Sequence, residues 1–175
     1  FLTVAVIGGV IVASKMNKLE TVSLDTDKLN ISDEVQHEEG YTNIALFGLD
    51  SRENDLGKGN RSDTIMIASL NNDTKEVKLV SIYRDTLLQL DDGSYNKANA
   101  AYSFGGPEGA ISLINKNLDM NIEKYVTVNF NALVDVIDAV GGLDLELTHD
   151  EVVHMNNYCV ETSKVTGKDY EKIEP

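Results

Sequence analysis

Three short apolar runs, each with an aspartate and an arginine at one end, constrain this chain more than any other feature. Asn43 to Leu49 (NIALFGL) runs into Asp50 and Arg52, Arg61 and Asp63 open Thr64 to Leu70, and Glu76 to Tyr83 runs into Arg84 and Asp85. Apolar segments of this length, bounded by polar residues, predict strands. The NNDTK between the second and third is hairpin-turn chemistry, and residues 50–61 (DSRENDLGKGNR) form a charged loop. The third run alternates Val77 and Leu79 against Lys78, Val80 and Ile82, and continues through Leu87 to Leu90 before the turn Asp91-Asp92-Gly93. Successive strands usually lie side by side. If these three do, both signs of charge converge at one edge of a sheet.

Beyond residue 94 the hydrophobic period changes. Lys97 to Ser103 (KANAAYS) favours helix and ends at Gly105-Gly106, and Pro107 stands where a first helical turn tolerates it. Ile111, Ile114 and Leu118 share one face of a helix over about residues 107–118. Tyr125 to Val128 predicts another strand, and Asn129 can cap a helix striped by Phe130, Leu133, Val134 and Ile137, which Gly141-Gly142 ends. Such a stripe is read first as core. Leu143, Leu145 and Leu147 alternate with acidic residues as in a half-exposed strand, and Thr148-x-x-Glu151 is a capping box opening a last helix to about Asn157. Interleaved strands and helices predict an α/β fold, a sheet flanked by helices.

The first 40 residues have a different texture. From Phe1 to Ala13 (FLTVAVIGGVIVA) there is no charge, and Lys15 and Lys18 follow. A helix of that length rises about 20 Å against a hydrocarbon core of roughly 30 Å. Residues 1–14 are therefore read as part of a membrane anchor whose upstream portion precedes Phe1. A buried core helix and a cleaved signal-peptide segment, with Val12-Ala13-Ser14 as its cleavage site, are the alternatives. Residues 15–40 are polar, acidic and aperiodic and read as a stalk, which places the domain at 41–175. With 15 Lys plus Arg against 29 Asp plus Glu the net charge is −14. Such a chain repels a polyphosphate backbone, whose binding depends on cations displacing counterions, so no nucleic-acid partner is expected. The single cysteine, Cys159, can close no intramolecular disulfide.

Motifs for several chemistries are absent: there is no G-x-S-x-G, no H-E-x-x-H, no G-x-x-x-x-G-K-[ST] and no helix-opening G-x-G-x-x-G. His149 and His154 do not share a helix face and read as solvated. What the chain does offer is Asp50, Asp63 and Asp85 together with Arg52, Arg61, Arg84 and Lys97. Carboxylates hold Mg²⁺ through oxygen, one or two per ion, with phosphate and water completing the shell, while guanidinium groups grip phosphate oxygens in pairs. Phosphoryl transfer asks mainly for positioning and charge neutralisation, so this set suffices without a nucleophilic serine. The same residues also suit a plainer reading, in which Asp50 and Asp63 cap turns, Arg61 and Arg84 pair with surface acids and Lys97 is solvated.

The succession NIALFGLDSR, GNRSDTIMIASL, KEVKLVSIYRDT, NKANAAYSFGGPEGA and YVTVNFNALVDVIDAVGGLDLEL resembles, in order and approximate separation, the LytR-CpsA-Psr family of bacterial cell-envelope proteins from about Tyr41 onward. The resemblance implies an extracytoplasmic α/β/α domain behind a single-pass anchor in the cell membrane. It also implies a central mixed β-sheet flanked by helices, with an apolar channel for a polyprenyl chain. The implied activity is metal-assisted transfer of a sugar-phosphate glycopolymer, teichoic acid-like or capsule-like, from a polyprenyl pyrophosphate carrier to a peptidoglycan hydroxyl. By the same resemblance Asp50 and Asp63 coordinate Mg²⁺ (or Mn²⁺), and Arg84 binds pyrophosphate and is catalytic together with Asp85, which orients the site or acts as base. Arg52, Arg61 and Lys97 face or support the phosphates. A membrane-tethered polyprenyl pyrophosphate phosphatase and a regulatory module that binds polyprenyl phosphate without turnover are the alternatives. The family's historical label of transcriptional attenuator is opposed by the net charge.

The sequence departs from the family pattern in three places. Tyr83 stands where proline is common, Ala98 replaces a larger aliphatic residue, and Pro175 precedes the family's Tyr-x-Arg-x-Arg segment. The last departure predicts a domain incomplete at its C-terminus, and a fragment poorly active by itself.

Overall fold

The computed structural model describes residues 21–32, 40–51, 56–167 and 169–174. Arg52 and the proposed anchor at 1–14 lie outside these residues, and so do the expectations attached to them. Among the described residues no helix is long and apolar enough to cross a membrane.

In chain order the elements are β1 (Tyr41–Leu49), β2 (Ser62–Asn71), β3 (Val77–Ser81), β4 (Leu87–Gln89), β5 (Tyr95–Lys97), α1 (Ala100–Leu118), β6 (Lys124–Val128), α2 (Phe130–Ala139) and α3 (His149–Thr166). Four strands form one sheet in the order β3-β2-β1-β6, with β1 antiparallel to β2, β2 antiparallel to β3, and β1 parallel to β6. The sheet is therefore mixed, as the family resemblance implied, and the fold is α/β.

Residues two apart on a strand face the same side, and β1 uses this to sort its side chains: Ala45, Phe47 and Leu49 are buried, while Ile44, Leu46 and Gly48 are half-buried. Ile65 and Ile67 of β2 join them, and α1 contributes Ala101, Tyr102, Ala110, Ile111, Leu113 and Ile114 to the same core. Each of the larger of these side chains stabilises the fold by about 1.5–3 kcal/mol when fully buried. The ring of Phe47 meets that of Tyr102 edge to face at 5.3 Å. The Tyr102 hydroxyl keeps its polar end satisfied by donating to the Leu56 carbonyl at 2.9 Å. Helix α1 is kinked at Gly106, whose φ of 67° lies in the region that glycine tolerates, and Pro107 follows without an amide to lose.

Four expectations need correction. The acidic segment 21–32 is part of the domain, not a free stalk: a 3₁₀ turn at Thr26–Lys28 brings Leu29 into full burial, and Asn115 donates to the Leu29 carbonyl at 2.9 Å. Leu87 to Leu90 does not prolong β3, because a turn closed by Thr86 N–H on the Tyr83 carbonyl at 2.9 Å breaks the run, and Leu87–Gln89 instead pairs with Tyr95–Lys97. Residues 143–147 form no strand, since none of the described residues pairs with them, and alternation alone cannot satisfy backbone groups that a ladder must take. The α2 stripe is not core: Phe130 and Leu133 are exposed, Val134 and Ile137 are only half-buried, and no α2 residue is buried.

Candidate functional site

The charged residues singled out in the sequence gather where β1 and β3 end and β2 begins. A pocket of about 480 Å³ is lined by Asp50, Gly59, Asn60, Arg61, Asp63, Arg84, Asp85, Lys97 and Asn99. Every charged residue proposed from the sequence, other than Arg52, is thus brought to one place.

Local backbone geometry explains the convergence. Gly48 pairs with Thr64 but Leu49 pairs with Ser62, so Asp63 is the extra residue of a β-bulge, a device that redirects side chains at strand ends. Gly48 makes the bulge sterically feasible, because a Cβ there would lie 2.9 Å from Cβ of Thr64. Asp50 N–H donates to the Arg61 carbonyl at 3.4 Å, which carries the β1–β2 ladder one step further and sets these two side chains beside each other's strand. On the other flank, Ile82 N–H donates to the Ile65 carbonyl at 2.9 Å, and the chain then turns through Tyr83–Thr86 with Arg84 and Asp85 as the two central residues. Two further backbone bonds, Ala98 N–H to Thr86 O at 2.8 Å and Asn99 N–H to Arg84 O at 3.1 Å, seat the end of the β4–β5 hairpin against that turn.

The side chains then form a relay of ion pairs. Arg84 Nη1 lies 3.0 Å from Asp63 Oδ1 and its Nε 3.6 Å from Asp85 Oδ2, while Lys97 Nζ reaches Asp85 Oδ1 at 2.5 Å. The hydrogen bond with Asp63, then the Asp63 charge and that of Asp85, push the Arg84 guanidinium above its already high range. The hydrogen bond from Lys97 holds the Asp85 carboxyl below the usual carboxylate range; burial opposes it, and the charges of Lys97 and Arg84 reinforce it. All four side chains are between 39% and 62% exposed. Exposed pairs of this kind add little to stability. The arrangement is better explained as a preset charge pattern facing an open pocket than as a structural rivet.

Among the described residues no three Asp, Glu, His or Cys side chains cluster as a metal site. Of the three carboxylates that line the pocket, Asp85 is taken up by Lys97, which leaves Asp50 and Asp63 as the two candidate donors. That donor set suits Mg²⁺, which is usually bound by one or two carboxylates plus phosphate oxygens and water, not by an all-protein cage. Sequence reasoning missed Gly59, Asn60 and Asn99 as pocket residues. A neutral amide near a helix start reads as a cap, and nothing in its charge marks it. Ser62, next to the bulge, is fully buried and its Oγ has no hydrogen-bond partner among the described residues, a feature that native structures rarely carry.

The family model LytR_cpsA_psr matches residues 6–169. The chain belongs to the LytR-CpsA-Psr family. It is 37% identical over 163 residues to the polyisoprenyl-teichoic acid–peptidoglycan teichoic acid transferase TagU of Bacillus cereus, an overlap of 85% of this chain and 52% of that protein. The chain thus spans about half the length of the curated relatives it matches. Its fold is similar to that of TagV from B. subtilis, with a TM-score of 0.53 and 35% identity over 65% of this chain and 48% of that one. It is also similar to the LytR-CPS2A-psr family protein YwtF (TagT) with bound octaprenyl pyrophosphate lipid, with a TM-score of 0.61 and 21% identity over 87% of this chain and 59% of that one. The last likeness is one of fold.

Proposed function

We propose that this LytR-CpsA-Psr chain carries the phosphate-handling part of a transferase that moves a teichoic acid-like glycopolymer from a polyprenyl pyrophosphate carrier to peptidoglycan. The observation that carries the reading is Arg84, fixed by Asp63 and Asp85 at the edge of a pocket that also holds Asp50, Arg61 and Lys97. A pyrophosphate diester carries its charge on non-bridging oxygens, which is what a planar guanidinium and two further cations recognise. The naming of TagU as a teichoic acid transferase supports the choice of polymer and acceptor. A substrate of this kind puts the domain at the outer face of the cell membrane.

In the reaction the acceptor hydroxyl attacks the sugar-side phosphorus. The bond from that phosphorus to the bridging oxygen breaks, polyprenyl phosphate departs with the electron pair, and the hydroxyl proton goes to a base or to solvent. Arg84, Arg61 and Lys97 absorb the charge that builds on the phosphoryl oxygens. Asp50 and Asp63 would hold Mg²⁺ or Mn²⁺, which when bound supplies further neutralisation of the two phosphates. Asp85 serves better as an orienting group than as the base: both its oxygens are engaged, by Lys97 and by Arg84, and its carboxyl is held below the ordinary range. A general base works best when its pKa lies near the operating pH.

The test supplies a lipid pyrophosphate-linked glycan and Mg²⁺ with and without peptidoglycan, and compares the parent chain with Arg84→Ala. Product bound to peptidoglycan, falling on the order of a hundredfold or more in the variant, is expected from loss of a charge-stabilising donor. Soluble product regardless of peptidoglycan would make the chain a phosphatase. Lipid binding without either product would leave a binding module.

A further inference from the structure

Asn99 borders the pocket and is only 7% exposed, yet its side chain makes no hydrogen bond to any described residue. Its position makes this unexpected. Asparagine preceding a helix ordinarily accepts a hydrogen bond from the first turn, and Asn129 does so here, its Oδ1 taking the Ala132 N–H at 2.9 Å. Asn99 precedes α1 with φ −68° and ψ −17°, already helical, and makes no side-chain cap. An extended backbone is what lets a capping side chain fold back, as Asn129 shows with φ −106° and ψ −175°. The helical backbone of Asn99 is in turn fixed by its own N–H on the Arg84 carbonyl at 3.1 Å, so the residue is rigidly referenced to the arginine turn.

The residue as a whole is nine-tenths buried, and a carboxamide in that setting with no partner among the described residues has few groups to bond to besides a ligand in the pocket it borders. Two features of the pocket identify that ligand as an acceptor of hydrogen bonds. The pocket's carboxylates are three, Asp50, Asp63 and Asp85, and two of its cations, Arg84 and Lys97, are already engaged by Asp63 and Asp85. A neutral N–H donor adds attraction for an anion without recruiting another carboxylate to balance it. One of its two N–H groups can donate to a lone pair of a non-bridging phosphate oxygen.

We propose that Asn99 is a phosphate-binding residue, its Nδ2–H donating to a non-bridging oxygen of the pyrophosphate that Arg84 and Lys97 hold. This rests on the proposed function and adds to it a residue with no charge. The donor addresses the phosphate and not the chain esterified to it, so it acts equally on a free and on a lipid-linked pyrophosphate.

The experiment measures binding of inorganic pyrophosphate and of geranyl pyrophosphate to the 175-residue chain and to Asn99→Ala, Asn99→Asp and Arg84→Ala, with thermal melting of each. Asn99→Ala is expected to weaken both ligands by about tenfold, the usual worth of a hydrogen bond to a charged acceptor. Asn99→Asp keeps the shape but replaces a donor by a negative charge, and is expected to weaken both further. Parent-like binding by either Asn99 variant, or a loss confined to geranyl pyrophosphate, overturns the proposal. If Arg84→Ala also binds as the parent does, the phosphate-pocket reading itself falls; if Arg84→Ala loses binding while the Asn99 variants keep it, only the role of Asn99 falls. Should Asn99→Ala melt before binding can be read, the isosteric Asn99→Asp decides.

Discussion

Asp85 touches two cations with its two oxygens, and this bonding governs its charge. Lys97 is the nearer and contributes first to holding the carboxyl below its ordinary value of 3.8. A carboxylate with a depressed folded-state pKa adds stability above the unfolded value, and that contribution disappears as pH falls through the lower, folded value. The ion-pair relay is therefore intact throughout the neutral and mildly acidic range and opens only below about pH 4, the ordinary carboxylate range. Lys97→Met should return the Asp85 titration toward that range, leaving Arg84 as its remaining partner. Carboxyl-carbon NMR of Asp85 across pH 2 to 6, about two units either side of the ordinary value, measures this directly. An unchanged midpoint in the variant would mean that Lys97 does not hold Asp85 in solution. The charged part of the site was legible in the sequence because aspartate and arginine at the ends of successive strands have few alternatives once those strands pair. Asn99 was not legible, because its significance lies in a cap bond that it fails to make.

Among the elements, most of those that pair locally were readable, the β4–β5 hairpin being the exception, and those that depend on a distant partner were not. The β2–β3 hairpin follows from NNDTK and its flanking runs, and the α3 start follows from Thr148 and Glu151, whose mutual bonds form the predicted capping box. Leu143, Leu145 and Leu147 alternate as a strand does, but alternation specifies a face and not a neighbour. Segment 21–32 misled in the opposite direction: it is acidic and aperiodic, and its one fully buried anchor, Leu29, leaves no period to detect. That anchor is supported by Asn115, which also accepts from Ile122 N–H at 2.9 Å and donates to the Ile122 carbonyl at 3.0 Å. Leu29→Ala should destabilise the domain by about 2–5 kcal/mol, the range for emptying a fully buried leucine site. Urea unfolding would show it as a lower midpoint at unchanged slope. A cost under about 0.5 kcal/mol, the level of ordinary surface substitutions, would mean that the segment is detached in solution and the stalk reading is right after all.

For the whole molecule, the net charge of −14 and the cations of the pocket act on an arriving anion over different distances. Far from the surface a pyrophosphate meets the summed field, which repels it. Within a few ångströms it meets Arg61, Arg84 and Lys97, which attract it. Salt separates the two, because the screening length falls from about 30 Å at 0.01 M to about 10 Å at 0.1 M, removing long-range repulsion before short-range attraction. The association rate for inorganic pyrophosphate should therefore rise over this interval, whereas a cationic binding surface would show it falling. The dissociation rate should rise as well, since the same ions weaken the half-exposed contacts once the ligand is seated. Stopped-flow mixing at the two ionic strengths yields both rates. An association rate that falls with salt would show that the local cations, and not the total charge, dominate the approach, and that the acidic surface is turned away from the path by which the substrate enters.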